Sequence, residues 1–297
     1  MNGEYMEQTK IEEKEARSAT DSMKINEREQ TQIGLMRAYV ETRDPSSKTK
    51  IEEKEARRAR DSMKINEREQ TQIGLMRAYV ETQDPSSKEV DDQTLRRFLH
   101  ARDLDIEKAS VMFLKYLNWR RTYVVNGSIS PSEVPHEIEQ NKFFLQGSDK
   151  NGRPVAVLLA SRHFKHKGGL DEFKRFNVYL LDKICSRMPS GQEKFVLIAD
   201  LEGWGYSNSD IRAYLAALSL VQEYYPERLG KMFIVHSPYI FMSVWKILHP
   251  FIDNKTRKKI IFVDNKKLES TLLEEIDESQ LPQIYGGQLP LVPAQDA

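Results

Sequence analysis

The sequence predicts an α/β protein: a mostly parallel sheet covered by helices, preceded by a small all-α lobe. Three observations predict it. Short, densely apolar runs such as KFVLIADL (194–201), KMFIVH (231–236) and KKIIFVD (258–264) have the length and branching of buried strands. Longer stretches with apolar residues three and four apart separate them, as amphipathic helices would. The two kinds of segment alternate only after Gly127; ahead of it every periodic segment reads as helix.

In chain order, the first feature is a copied segment. Ile11 to Lys48 and Ile51 to Lys88 differ only at Ser18/Arg58, Thr20/Arg60 and Arg43/Gln83. Solenoid repeats diverge and need about three copies to bury a continuous core, so two near-identical copies read as a recent tandem duplication or a gene-model error. In the second copy Ile73, Met76, Tyr79 and Val80 form an apolar helix face, ended by DPSS at 84–87. The copies form either a partner-binding helical array or, more plainly, one docked helix and one loosely attached spare. Next, DDQTLRRFLHAR opens with acids in its first turn and carries Leu95, Phe98 and Leu99 on one face. IEKASVMFLKYLNWRRTY (106–123) is amphipathic through Ala109, Met112, Phe113, Tyr116 and Leu117.

After Gly127 come a turn at Lys150-Asn151-Gly152 and a strand from Pro154 to Leu159. A helix is predicted from Leu170 to about Met188, then the apolar strand 194–201, buried on both faces, then a helix from Ser209 to about Tyr224. Strand 231–236 leads into YIFMSVWKILHPFI, a helix apolar on nearly every side. The strand at 258–264 and a helix from Leu268 to Ile276 close the series before the tail YGGQLPLVP. Three parts follow: 1–50, the loosely attached copy; 51–125, the helical lobe; and 126–297, the α/β domain.

Composition narrows the function. Of 297 residues, 39% are hydrophobic and 30% charged, enough for a substantial core. Basic and acidic residues balance at 45 each, so no global field recruits nucleic acid. The single cysteine, Cys185, excludes an internal disulfide and reads as an inert packed thiol. MNGEYMEQTKIEEKEAR has no apolar core for a secretory signal, and no run nears the roughly 18–20 apolar residues that span a bilayer. A cytoplasmic protein with peripheral membrane contact is expected.

Enzyme signatures are missing. GWGYSN (203–208) begins like a dinucleotide loop but has Asn208 at the sixth position and a bulky Trp204, so it reads as a plain turn. There is no GxSxG elbow and no Walker loop. His163 and His166 have no carboxylate or cysteine nearby at ligand spacing, and read as surface histidines beside Lys165 and Lys167. No metal and no cofactor are expected, and no enzyme.

TLRRFLHARDLDIEKASVMFLKYLNWRR resembles the N-terminal lobe of the CRAL-TRIO lipid-binding proteins. KNGRPV, the strand ending in Asp200-Leu201-Glu202-Gly203, YYPERLGKMFIVHSP and IYGG are similar to successive landmarks of the CRAL-TRIO domain, over about residues 67–292. The nearest branch is the cytosolic phosphatidylinositol transfer proteins, in a plant-like short form. The resemblance implies a sheet floor and a gate helix over a cavity that encloses one lipid. From the residues alone, YIFMSVWKILHPFI fits either a core helix or a gate. With the resemblance, one side lines the cavity and the other meets the bilayer during exchange; Phe195, Leu197, Phe241, Val244, Trp245 and Leu248 are the expected cavity and gate residues.

The resemblance also implies headgroup contacts at Arg102 in HARD, Glu227 in YYPER, and Thr256 and Lys259 in DNKTRKK. A guanidinium can grip a phosphate by two bonds, Lys259 adds a point charge, and Glu227 either accepts from inositol hydroxyls or simply pairs with a nearby Arg or Lys. Two positions depart from the family pattern. Asp103 stands where a second basic residue follows the lobe arginine, which weakens or moves the phosphate site. Phe195, Val196 and Leu197 replace the small hydroxyl residues of the choline-lipid site. The expected function is non-catalytic binding and transfer or presentation of phosphatidylinositol. The alternatives are a tocopherol- or terpenoid-type carrier and an adaptor that binds a protein through the copied helices.

Overall fold

The computed structural model describes residues 66–297. The first copied segment, and the first part of the second, lie outside the described residues.

The lobe contains helix α1 (residues 66–83), α2 (Asp92–Ala101) and α3 (Ile106–Tyr123). Asp91 caps α2 by accepting from the Thr94 amide, and Asp105 caps α3 by accepting from Lys108. Each cap satisfies one of the amides that a helix start leaves unpaired. Ile73, Met76, Val80, Leu95, Phe98 and Phe113 bury together in one cluster. The predicted faces of α2 and α3 point inward; Tyr79 departs from the α1 stripe and stays half exposed. A short helix, α4 (Pro135–Glu139), follows.

The sheet has five strands in the order β1 (Phe143–Ser148), β2 (Pro154–Leu159), β3 (Phe195–Asp200), β4 (Leu229–Val235), β5 (Ile260–Phe262). β1 is antiparallel to β2, and the remaining neighbours are parallel. The crossovers carry α5 (Gly169–Ser186), α6 (Ile211–Tyr224) and α7 (Phe241–Leu248). Parallel strands laid side by side in chain order, with right-handed crossovers, put all three helices on one face. After β4 and α7 the chain makes a short turn of helix, α8 (Asn254–Arg257); α9 (Leu268–Glu275) comes after β5.

Side-chain alternation gives the two sheet faces different work. Val155, Val157, Val196, Ile198 and Phe233 pack with Leu272, Ile276 and Tyr285 in a closed backing core. Their neighbours Leu158, Leu197, Ala199, Met232, Ile234 and Ile260 face the crossover helices. The reading of strand 194–201 as buried on both faces therefore holds, although one of those faces borders a hollow. The tail covers the β1 edge: Leu145 donates to Val292 O and Ala294 donates to Phe143 O, at 3.1 and 2.9 Å. Such cover removes an open edge that could pair with another chain.

Candidate functional site

A cavity of about 330 Å³ lies between the sheet and the crossover helices. That is within the range of small-ligand pockets, roughly 300–1,000 Å³. The helical period builds its roof. Phe173, Phe176, Asn177, Leu180, Leu181 and Ile184 line it from α5, at spacings of three and four. Tyr214, Ala217, Leu218 and Val221 repeat the pattern on α6, and Phe241, Trp245 and Leu248 on α7.

Helix α7 is the gate-like element, and it has two apolar sides. Phe241, Trp245 and Leu248 face the cavity, while Met242 and Ile247 are exposed. Tyr239, before the helix, is 92% exposed, and Phe251, after it, is 57% exposed. Val244 does not line the cavity; it is buried in a cluster with Leu201, Trp204 and Ile234 that seats the helix. Trp204 meets Phe241 edge to face at 5.3 Å, so the GWGYSN turn supports α7. Asn208 of that turn donates to Ser161 O and His163 O and thereby ties down the loop after β2. Pro250 sits in a tight turn that ends the helix.

Three of the four expected headgroup residues come together. Lys259 Nζ donates to Glu227 Oε2 at 3.1 Å, and the Lys259 amide donates to Thr256 O at 2.9 Å. Thr256 lines the cavity, and Asp253 caps its helix by accepting from the Thr256 amide. Glu227 has φ 59°, a left-handed conformation unusual for a residue with a Cβ. Arg102 stands apart. Its guanidinium donates to Ala101 O, and among the described residues no hydrogen bond or ion pair joins it to Glu227 or Lys259. Its neighbour Asp103 meets Lys255 Nζ at 2.6 Å, one residue before Thr256. Of the strand residues, Phe195 and Leu197 both line the cavity.

The histidines are not where the sequence suggested. His163 is 6% exposed and lines the cavity, with its Nδ1 2.8 Å from Lys142 Nζ. Lys142 is itself buried; it donates to Gln140 Oε1 and makes a 2.6 Å ion contact with buried Glu137. Burial, with the Lys142 ammonium beside it, pushes the His163 pKa down to about 4. His166 Nε2 hydrogen-bonds Glu137 Oε1, and His136 Nδ1 hydrogen-bonds Glu172 Oε2. Carboxylates do stand beside these histidines; they arrive from α4 and α5, which local spacing does not reveal. Ligand atoms of His136, His166 and Glu172 lie within 4.8 Å of one another, a set that could hold a metal ion. The parallel stacking of the two rings and their hydrogen bonds already occupy this set as a polar network. Cys185 is partly buried, and burial raises its thiol pKa, so it is a poor nucleophile.

Three sequence landmarks meet in one network. Asp200 accepts from His236 Nδ1 at 2.9 Å and from the Tyr285 hydroxyl at 2.8 Å, joining the ends of β3 and β4 to the tail. Gly287, in that tail, packs so closely on the Leu281 backbone that a Cβ would lie 2.1 Å from its oxygen.

Over residues 138–287 the sequence matches the CRAL/TRIO domain family. The chain belongs to the CRAL/TRIO family. This CRAL/TRIO chain is 30% identical over 222 residues to Sec14 cytosolic factor of Schizosaccharomyces pombe, across 67% of this chain and 75% of that one. It is 31% identical over 219 residues to Protein real-time of Anopheles gambiae, across 67% of this chain but only 32% of the relative, so it spans about a third of that protein. The crystal structure of Sfh5 superposes with a TM-score of 0.59 at 21% identity, covering 74% of this chain and 87% of that one, a likeness of fold. Among the described residues, no helix is long and apolar enough to cross a membrane.

Proposed function

We propose that the chain binds one phospholipid, with phosphatidylinositol the best fit, and transfers it between membranes or presents it at a membrane surface without chemical change. The observation that carries this reading is the apolar cavity under α7, with Thr256 in its wall and the Glu227–Lys259 pair adjoining Thr256. Each methylene moved from water into such a lining contributes about 0.8 kcal/mol. A buried phosphodiester needs cations, and a polyol ring needs donors and acceptors. Lys259 would take the phosphate, and Glu227 and Thr256 would take ring hydroxyls; Arg102, which no contact joins to them among the described residues, would add its charge only by turning from the Ala101 carbonyl. The name of the S. pombe relative, a cytosolic factor, supports the cytoplasmic part of this reading; peripheral membrane contact belongs to the proposal.

Exchange would use the two apolar sides of α7. At a bilayer, Tyr239, Met242, Ile247 and Phe251 would enter the interface while Phe241, Trp245 and Leu248 part from the sheet. A second reading, a carrier of a neutral hydrophobe, draws on one observation: Lys259 and Lys255, on either side of Thr256, are already matched by carboxylates, Lys259 by Glu227 and Lys255 by Asp103.

Mass spectrometry of lipid extracted from the purified protein tests the proposal. Phosphatidylinositol in near-stoichiometric amount is expected. An empty cavity, or one holding only sterols or isoprenoids, overturns it.

A further inference from the structure

The cavity has a polar group far from the residues assigned to the headgroup. Thr256 and Lys259 precede β5 and Glu227 precedes β4, at the amino ends of these strands. Lys142 precedes β1, whose Phe143 pairs with Leu158 near the carboxyl end of β2, and His163 follows that same end. The two groups therefore sit at opposite strand ends. β2 and β5 are also three strand spacings apart, about 14 Å across the sheet.

Among the cavity-lining residues, hydrogen-bond accounting isolates one atom; Glu137 Oε2, outside the lining, also lacks a hydrogen bond but meets the Lys142 ammonium at 2.6 Å. A lysine ammonium has only hydrogens to offer, so His163 Nδ1 accepts from Lys142. The neutral ring then carries its proton on Nε2. That atom has no hydrogen-bond partner and is closed to the cavity as well as to solvent, so a ligand oxygen meets it only when the ring turns toward the hollow. Its polar neighbours in the wall are satisfied: the Tyr214 hydroxyl donates to Asn208 O and accepts from Trp204 Nε1. Lys142 is engaged by Gln140, Glu137 and His163. A buried donor without an acceptor is rare in folded proteins and calls for an explanation.

We propose that the cavity selects a lipid whose tail carries an oxygen acceptor, a hydroxyl or a carbonyl, in the half remote from the headgroup, and that His163 Nε2–H donates to it. The position follows from the separation of the two polar ends, which an extended acyl chain of common length spans. The neutrality of the oxygen follows from the charges: the Lys142 ammonium is already matched by Glu137, and what remains is a single neutral N–H donor. His163 thus acts as a specificity residue for the tail. The proposal rests on the phospholipid reading for the orientation of the ligand.

The test is displacement of a fluorescent polyene fatty-acid methyl ester from the full chain. The competitors are phosphatidylinositol with plain octadecanoyl tails and the same lipid hydroxylated at carbon 9, 12 or 16 of one tail. Methyl octadecanoate and its 12-hydroxy form serve as competitors without a headgroup. One hydroxylated isomer is expected to compete about tenfold better than the plain lipid, the size of one rescued buried hydrogen bond. The advantage should vanish in His163→Phe and persist in part in His163→Gln, which keeps a donor. Without any variant, the Nε2 proton resonance of His163 should shift with the hydroxylated ester and not with the plain one. No advantage at any position, or one that survives His163→Phe, overturns the proposal. If plain phosphatidylinositol fails to compete while the hydroxylated ester still beats the plain ester, the headgroup assignment falls and the tail assignment stands.

Discussion

Lys255 Nζ lies 2.6 Å from the Asp103 carboxylate and also donates to His100 O, tying the helical lobe to the short helix α8 that follows α7. The partner Lys255 supplies explains how an acid is held where the family pattern has a base. The hydrogen bond from Lys255 keeps the Asp103 carboxyl below its ordinary range. The ammonium is thereby engaged by Asp103 and the His100 carbonyl, and under the proposed function it would have to leave them to meet a phosphate at Thr256.

Freeing that lysine should strengthen phosphate binding. Asp103→Asn is expected to raise phosphatidylinositol transfer between liposomes a few-fold at low salt, with a smaller gain at high salt as screening grows. Stopped-flow transfer assays at two ionic strengths check this. An unchanged rate at both would mean that Lys255 takes no part.

The headgroup residues should matter more for ligand than for fold. Lys259→Ala is expected to cut transfer about tenfold, as loss of one charge-assisted contact would. Glu227→Gly removes the carboxylate and also relieves the left-handed backbone at φ 59°, so its stability should stay within about 1 kcal/mol of the parent while transfer falls. Denaturant melts beside transfer assays separate the two effects.

Filling the hollow should uncouple folding from loading. Ala217 lines the cavity from α6, and Ala217→Phe puts a ring into it. Bound lipid in the purified protein should drop below a tenth of the parent level, with a melting temperature equal to or above that of the lipid-free parent. Lipid extraction and calorimetry give both numbers.

The buried Lys142–Glu137 pair should be costly to halve. Lys142→Met leaves the Glu137 carboxylate without its cation, and about 3–5 kcal/mol of stability should be lost. Glu137→Gln in the same chain should return much of it, since the neutral amide keeps an oxygen that can still meet His166. Urea titrations of the single and double variants measure the recovery.

Acid should weaken the protein through His163. Its folded pKa of about 4 lies below the unfolded value of 6.5, so between these the unfolded chain binds more protons. The contribution is fully present above pH 6.5 and is lost as pH falls toward 4, about 3 kcal/mol in all at 1.36 kcal/mol per unit. The groups that act on the ring are Lys142 and His166, which lower its pKa, and Glu137 and Asp210, which raise it. His163→Gln should flatten this part of the stability profile.

Much of this architecture was readable in the chain because it depends on local period. The strands at 154–159 and 194–201, the α3 face and the break at Pro250 all come from side-chain spacing that a short window contains. β1 was not readable: FFLQGS has no alternation, and its pairing depends on Leu158 and on the tail at Val292 and Pro293. His163 looked like a surface residue beside Lys165 and Lys167. Its burial is set by Lys142 and Asn208, which are remote in sequence. Val244 could not be separated from Phe241 and Trp245, because a helix apolar all round does not say which stripe faces which partner. Arg102 was placed by resemblance, and the fold leaves its guanidinium on its own turn.

The backing core of Val196, Ile198 and Phe233 against Leu272, Ile276 and Tyr285 has a consequence for turnover. A vessel that is repeatedly emptied and refilled must keep its shape when vacant. Here the rear of the floor is cemented by contacts that no cargo touches, so departure of the contents strips only the front. Under the proposed carrier function, cargo would leave without the container collapsing, and the same chain would be ready for its next round.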